Sequence, residues 1–153
     1  MNGSDLISFF DESLFIPEIK AKEKKSALKE LIQPLVKNNF ITSPGLVFET
    51  LMKRETLGST GLGKGVAVPH CRTLAVKEVH VVVGLSAKGV DYQAVDKKKV
   101  HIFFLILAPP QEDKNLYLPF LGQIVEMVRD GKKRKALLKS NDFNTFLDAI
   151  QGG

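Results

Sequence analysis

From Val100 to Leu107 the chain reads Val-His-Ile-Phe-Phe-Leu-Ile-Leu, an almost unbroken apolar run. A strand with one wet face would alternate apolar and polar residues, and this one does not. It reads as a central strand covered on both faces. Such a strand demands a layer of helices on each side of its sheet. Ala108-Pro109-Pro110 ends the run, because proline cannot donate to a sheet ladder.

The rest of the chain supplies the other parts. Leu14-Phe15-Ile16 predicts a short first strand, and Val79 to Leu85 a β-branched one. Lys24 to Val36 carries apolar residues at 27, 28, 31, 32 and 35, a helical spacing. Ser43-Pro44 opens a second helix running to about Glu55, with serine as N-cap and proline in the first turn. Val66-Ala67-Val68 is a short strand, and Lys88-Gly89-Val90-Asp91 a turn. Helices are expected over Leu116–Val128, Lys132–Leu138 and Asp142–Ile150. The expected fold is α/β, a mixed β-sheet flanked by helices on both faces, formed by residues 1–153 as a single domain.

Net charge is +5, which raises the question of nucleic acid or an anionic membrane surface. The basic residues are dispersed. Lys97-Lys98-Lys99 falls in a turn between strands, and Lys132-Lys133-Arg134-Lys135 opens a helix. Neither cluster is interleaved with aromatics, so solvated faces are the better reading and no nucleic-acid partner is expected. No apolar run is long enough to cross a bilayer, and the N-terminus lacks the pattern of a secretory leader. One cysteine, Cys71, excludes an internal disulfide. These features together favour the cytoplasm.

Chemistry concentrates between Gly58 and His70, in the run Gly-Ser-Thr-Gly-Leu-Gly-Lys-Gly-Val-Ala-Val-Pro-His. Gly58 to Lys64 matches GxxxxGK, but Gly65 stands where a nucleotide-binding P-loop needs a hydroxyl, and a strand follows rather than a helix. A dinucleotide fingerprint fails as well, since the third glycine comes one place early. The bland alternative is a glycine-rich hairpin with a surface histidine. The chemical alternative is an anion cradle of backbone amides beside a nucleophilic imidazole, with the strand stopping at Pro69 and His70 directly behind it.

With Arg54-Glu55 just upstream, this run resembles the signature of enzyme IIA domains of the fructose–mannitol class, from the bacterial phosphoenolpyruvate-dependent phosphotransferase system. The likeness extends from Leu14 to about Ile150. It implies an α/β fold and a phosphoryl relay. The phosphocarrier protein HPr donates a phosphoryl group to the IIA histidine. A IIB domain receives it in sugar transport, while stand-alone nitrogen-regulatory relatives signal through their phosphorylation state to target proteins. The resemblance makes His70 the phosphorylated residue, through Nε2, and Arg54 its phosphate partner. With no IIB-like or membrane segment attached, a stand-alone regulatory role is favoured over sugar uptake.

In-line transfer needs one imidazole nitrogen free and the other donating to a fixed acceptor, such as a backbone carbonyl. Arg54 offers a planar fork of donors. The backbone amides of Gly61, Leu62 and Gly63, with the Ser59 or Thr60 hydroxyl, are expected to hold the remaining oxygens. No metal, nucleotide or other cofactor is required of such a domain. Family members often carry a second histidine where Tyr117 stands. A tyrosine can bond a phosphoryl oxygen but cannot become a cation, which leaves a binding-only regulator as the alternative. Cys71 is expected to be a small apolar filler. His80 and His101 lack the companions of a metal site and are expected to be structural.

Overall fold

The protein is described from a computed structural model that covers residues 3–152. Met1, Asn2 and Gly153, which belong to the span expected to form one domain and to the N-terminus expected to lack a leader, lie outside the described residues. In chain order the elements are α1 (Gly3–Ile7), a 3₁₀ turn (Glu12–Leu14), β1 (Phe15–Ile16), α2 (Lys24–Lys37) and α3 (Pro44–Thr56). There follow β2 (Gly61–Gly63), β3 (Val66–Ala67), β4 (His70–Arg72), β5 (His80–Val90) and β6 (Val100–Ala108). The chain finishes with α4 (Tyr117–Met127), α5 (Gly131–Lys139) and α6 (Phe143–Gln151).

The strands form one six-stranded mixed sheet ordered β1-β5-β6-β3-β2, with β4 also paired to β6. β5 and β6 are antiparallel, whereas β3 and β4 both run parallel to β6. The apolar run of β6 is buried on both faces, as its composition requires. Phe103, Leu105 and Leu107 meet Leu28, Leu31 and Leu35 of α2 and Leu51 of α3. Ile102, Phe104 and Ile106 meet Phe120 and Ile124 of α4 and Phe146 of α6. Helices thus cover both faces of the sheet. Each such side chain contributes about 1.5–3 kcal/mol by leaving water, which makes these two seams the main support of the fold.

Helix boundaries fall within a residue or two of the sequence reading, with local chemistry to explain them. Pro44 occupies the first turn of α3, although Ser43 makes no side-chain cap bond. Asp142 and Thr145 close a capping box on α6, and the Asp130 carboxylate accepts from the Lys132 amide at the start of α5. Pro119 sits in the first turn of α4, where no intrahelical donor is needed.

Three expectations change. α1 carries too few residues for a helical period to show, and its Leu6 is buried in the α4–α6 layer. The expected turn at Lys88–Asp91 is a bulge inside β5. Leu85 pairs Ile102 but Val90 pairs Val100, so β5 holds three more residues than β6 between those pairs. Nor does the strand stop at Pro69. It resumes as β4 in the same register, because Val66 pairs Ile102 and His70 pairs Ile106. Proline removes one donor and interrupts the ladder without ending it.

Candidate functional site

His70 opens β4 and is half-buried. Along this strand the carbonyls of Gly65 and Pro69 accept from Ile102 and Ile106 of β6. Val68 between them turns the other way, donating its amide to the Thr60 carbonyl. Its own carbonyl therefore points away from β6, and His70 Nδ1 lies 2.7 Å from it. A carbonyl oxygen only accepts, so Nδ1 carries a proton, and in the neutral ring Nε2 presents the lone pair. A neutral imidazole held in this tautomer is a nucleophile.

Tyr117, the first residue of α4, closes one side of this space. Its ring centroid is 6.5 Å from that of His70, and it is buried among the α4–α6 layer. Burial pushes its phenol up to about 12, while the charges of Arg72 and Arg54 pull in the opposite direction. The Arg72 guanidinium lies over the ring, 4.6 Å from its centroid, and Nη1 donates to the Pro109 carbonyl at 2.9 Å. Glu112 stands 3.9 Å from that nitrogen and accepts the Leu116 and Tyr117 amides at 2.5 and 3.2 Å. It thereby caps the start of α4. Arg54, in the last turn of α3, is half-buried and donates to the Gly58 carbonyl at 3.0 Å.

The glycine-rich segment is a β-hairpin. Gly63 pairs Val66 across Lys64 and Gly65, both at positive φ, the geometry of a two-residue primed turn. Gly61 is required for another reason: a Cβ there would stand 2.7 Å from the Ala94 Cβ and 2.8 Å from its Cα. The segment is tied to α3 from beneath. Glu55 accepts the Thr60 amide at 3.1 Å and the Thr60 hydroxyl through a short bond. Tyr92 donates to the same carboxylate at 3.3 Å, and Lys24 pairs with it at 2.9 Å. All four residues are buried. Burial, with the Glu55 charge adding to it, pushes the Tyr92 phenol well above its ordinary value.

Comparison with known proteins turns this geometry into a family assignment. A family model described as phosphoenolpyruvate-dependent sugar phosphotransferase system, EIIA 2, matches residues 8–152. The chain belongs to this family. It is 32% identical over 137 residues to a nitrogen regulatory protein of Bradyrhizobium diazoefficiens, covering 88% of this chain and 87% of that one. It is 30% identical over 132 residues to the fructose-specific EIIABC component of Bacillus subtilis. That match covers 86% of this chain but spans only 21% of the relative. Among solved structures, the nitrogen regulatory protein IIA-Ntr of Neisseria meningitidis superposes with a TM-score of 0.84 at 27% identity. The superposition covers 94% of this chain and 97% of that one. IIA domains of this system are phosphotransfer proteins, and the family supports a phosphocarrier role for this one.

The IIA fold brings His70 and Tyr117 together and sets Arg54 where its charge is felt at Tyr117. It does not leave Thr60 facing outward. Thr60 is only 2% exposed, and its hydroxyl and amide are both committed to Glu55. The Gly61 amide is likewise taken, by Ser59 Oγ at 3.0 Å. The cradle expected over residues 59–63 is thus in part a scaffold, stitched to the end of the helix that carries Arg54. Cys71 is buried with its thiol pushed up to about 12 by desolvation, as befits a filler. His80 stacks on Phe40 with centroids 4.6 Å apart, and burial lowers its pKa. His101 Nδ1 bonds the Ser86 carbonyl at 2.8 Å. Among the described residues no helix is long and apolar enough to span a membrane.

Sequence reasoning missed Arg72 and Glu112. Arg72 was legible in principle, because it stands two places after His70, and strand residues two apart share a face. The assumption that the strand ended at Pro69 hid it. Glu112 carries no local signal beyond a position four residues before the first amide it caps.

Proposed function

We propose that this IIA domain accepts a phosphoryl group from phospho-HPr on His70 Nε2. It then either hands the group to a IIB domain or uses it as a regulatory signal. The observation that carries the reading is the 2.7 Å bond between Nδ1 and the Val68 carbonyl, which makes Nε2 the nitrogen with the lone pair in the neutral ring. The Nε2 lone pair forms the new N–P bond while the bond from phosphorus to the donor breaks, and that electron pair stays with the donor. No proton has to leave His70. Arg54 clamps the transferred oxygens, with the Ser59 hydroxyl, the Leu62 and Gly63 amides and the Tyr117 hydroxyl around them. Positioning and charge stabilisation do the rest, with residues 1–153 acting as one domain in the cytoplasm.

A nitrogen-regulatory role is favoured over sugar uptake. Two nitrogen regulatory relatives match most of both chains, at 32% and 27% identity; a fructose-specific EIIA component of Haloferax volcanii does so as well, at 26%. Incubation with phosphoenolpyruvate, enzyme I and HPr tests the carrier. The expected product is one acid-labile phosphoryl group per chain, detected by mass and absent from His70→Ala. The presence of Tyr117 in place of the second histidine favours one other reading, a regulator that binds partners without relaying phosphate. Failure of phosphorylation with the matching HPr would establish that reading instead.

A further inference from the structure

A gap in charge remains at this site. Tyr117 stands beside His70, its ring 6.5 Å away, and a phenol pushed up to about 12 stays neutral at physiological pH. We propose that Arg72 fills that gap as a second phosphate-holding cation, its guanidinium fixed beside His70 by the Tyr117 ring and the Pro109 carbonyl. The inference rests on His70 being the phosphoryl acceptor.

Backbone geometry comes first. His70 and Arg72 pair with Ile106 and Ala108 in an unbroken parallel register. They therefore project from the same face of the sheet, about 6–7 Å apart along the strand. Cys71 between them enters the opposite layer with α2 and α3. Tyr117 is the shared neighbour. Its ring lies 6.5 Å from the His70 ring and 4.6 Å from the Arg72 guanidinium carbon. The three side chains thus bound one space on the α4 side of the sheet.

Arg72 is held without being used up. Stacking on an aromatic face orients a planar guanidinium at little cost in solvation. One nitrogen, Nη1, is anchored on Pro109, and a guanidinium has five N–H donors in all. The side chain keeps 37% of its surface open, so the fork remains accessible to an incoming anion. Among the described residues Glu112 is the one carboxylate within ion-pair distance of Arg72, at 3.9 Å. Its oxygens accept the first two amides of α4, so its charge is shared with the positive end of that helix. Arg72 is therefore not matched one-for-one by Glu112.

The competing role is a strut that merely ties β4 to the segment before α4. The two roles differ in what charge does. The test follows phosphorylation from phospho-HPr under single-turnover conditions, together with the lifetime of phospho-His70 and the thermal midpoint. It uses the unsubstituted protein, Arg72→Gln and Arg72→Lys. For Arg72→Gln we expect transfer to slow about tenfold and the phosphohistidine to be shorter-lived, the effect of losing one charge-assisted donor at a partly open site. Arg72→Lys keeps the charge but loses the stacked fork, so it is expected to recover part of the rate and to slow by about threefold rather than tenfold. Loss of rate in glutamine with recovery in lysine supports the cation. Equal rates in all three proteins overturn it. Equal slowing in both variants, accompanied by a lower thermal midpoint, also overturns it and leaves a strut. Failure to phosphorylate the unsubstituted protein removes the phosphocarrier reading itself and this inference with it, and is recognisable because no substitution is involved.

Discussion

Replacing Glu55 by glutamine tests the scaffold beneath the site. The substitution preserves shape but removes the charge that Lys24 meets at 2.9 Å. That charge also receives the Thr60 amide and the hydroxyls of Thr60 and Tyr92. The Lys24 and Glu55 side chains are only 9% and 3% exposed, so neither charge has water to replace the other. Removing one partner of such a pair costs about 3–5 kcal/mol, because the survivor stays buried and unpaired. For a chain of this length each kcal/mol lowers the thermal midpoint by about 2–4 °C, so a fall of about 6–20 °C is expected. Lys24→Met with Glu55→Gln removes both charges, and such a replacement is close to neutral in other buried pairs. Urea unfolding of the two single variants and the double variant gives the coupling energy, expected at about 2 kcal/mol or more. A double variant no more stable than Glu55→Gln, or a coupling below about 0.5 kcal/mol, would refute the claim that this pair acts as a unit.

Arg54→Ala is expected to slow phosphorylation of His70 by about tenfold to a hundredfold, through loss of a charged clamp. The single bond it makes to Gly58 is worth about 1 kcal/mol, so its thermal midpoint shifts by a few degrees at most; unchanged kinetics reduce Arg54 to a helix-end charge. Cys71, its thiol pushed up to about 12, is expected to be unreactive toward a disulfide reagent at neutral pH and to react at once in denaturant, since the thiolate is the nucleophile. Rapid modification of the native protein contradicts its burial. The Asp142 carboxyl is held below its usual range by the Thr145 amide and hydroxyl, so its ionised form favours the folded state above the ordinary carboxylate pKa. That support disappears as pH falls through the lowered value. The difference in midpoint between the unsubstituted protein and Asp142→Ala should therefore be largest near neutrality and shrink in acid; a pH-independent difference refutes the cap.

Much of this was legible because the relevant forces are local. The run ending at Leu107 could be read as covered on both faces because it offers no polar side at all. The α2 helix could be read from five apolar positions on one stripe, all of them buried. The unusual backbone before His70 was legible in sequence, since Pro69 and the glycines mark it. The buried bonds of Thr60 were not legible, because Tyr92 beside its hydroxyl and Lys24, which pairs with its partner Glu55, are far away along the chain, and no spacing rule connects them. The bulge in β5 was misread as a turn because Gly89 signals a break in regular backbone without saying which kind. At β4 the proline was taken for a terminus. Register with β6, a long-range property, decides that the strand continues.

The bond that sets the imidazole tautomer ends on main chain, not on a neighbouring side chain. Many histidine-dependent centres use a carboxylate to orient the ring, and such a residue can be lost in a single codon change. Here the orienting dipole belongs to the peptide unit between Val68 and Pro69, two buried residues where the hairpin runs out. Side-chain drift at position 68 leaves it intact so long as the hairpin stays in place. The nitrogen proposed to take the phosphoryl group is thus insulated from most side-chain changes around it.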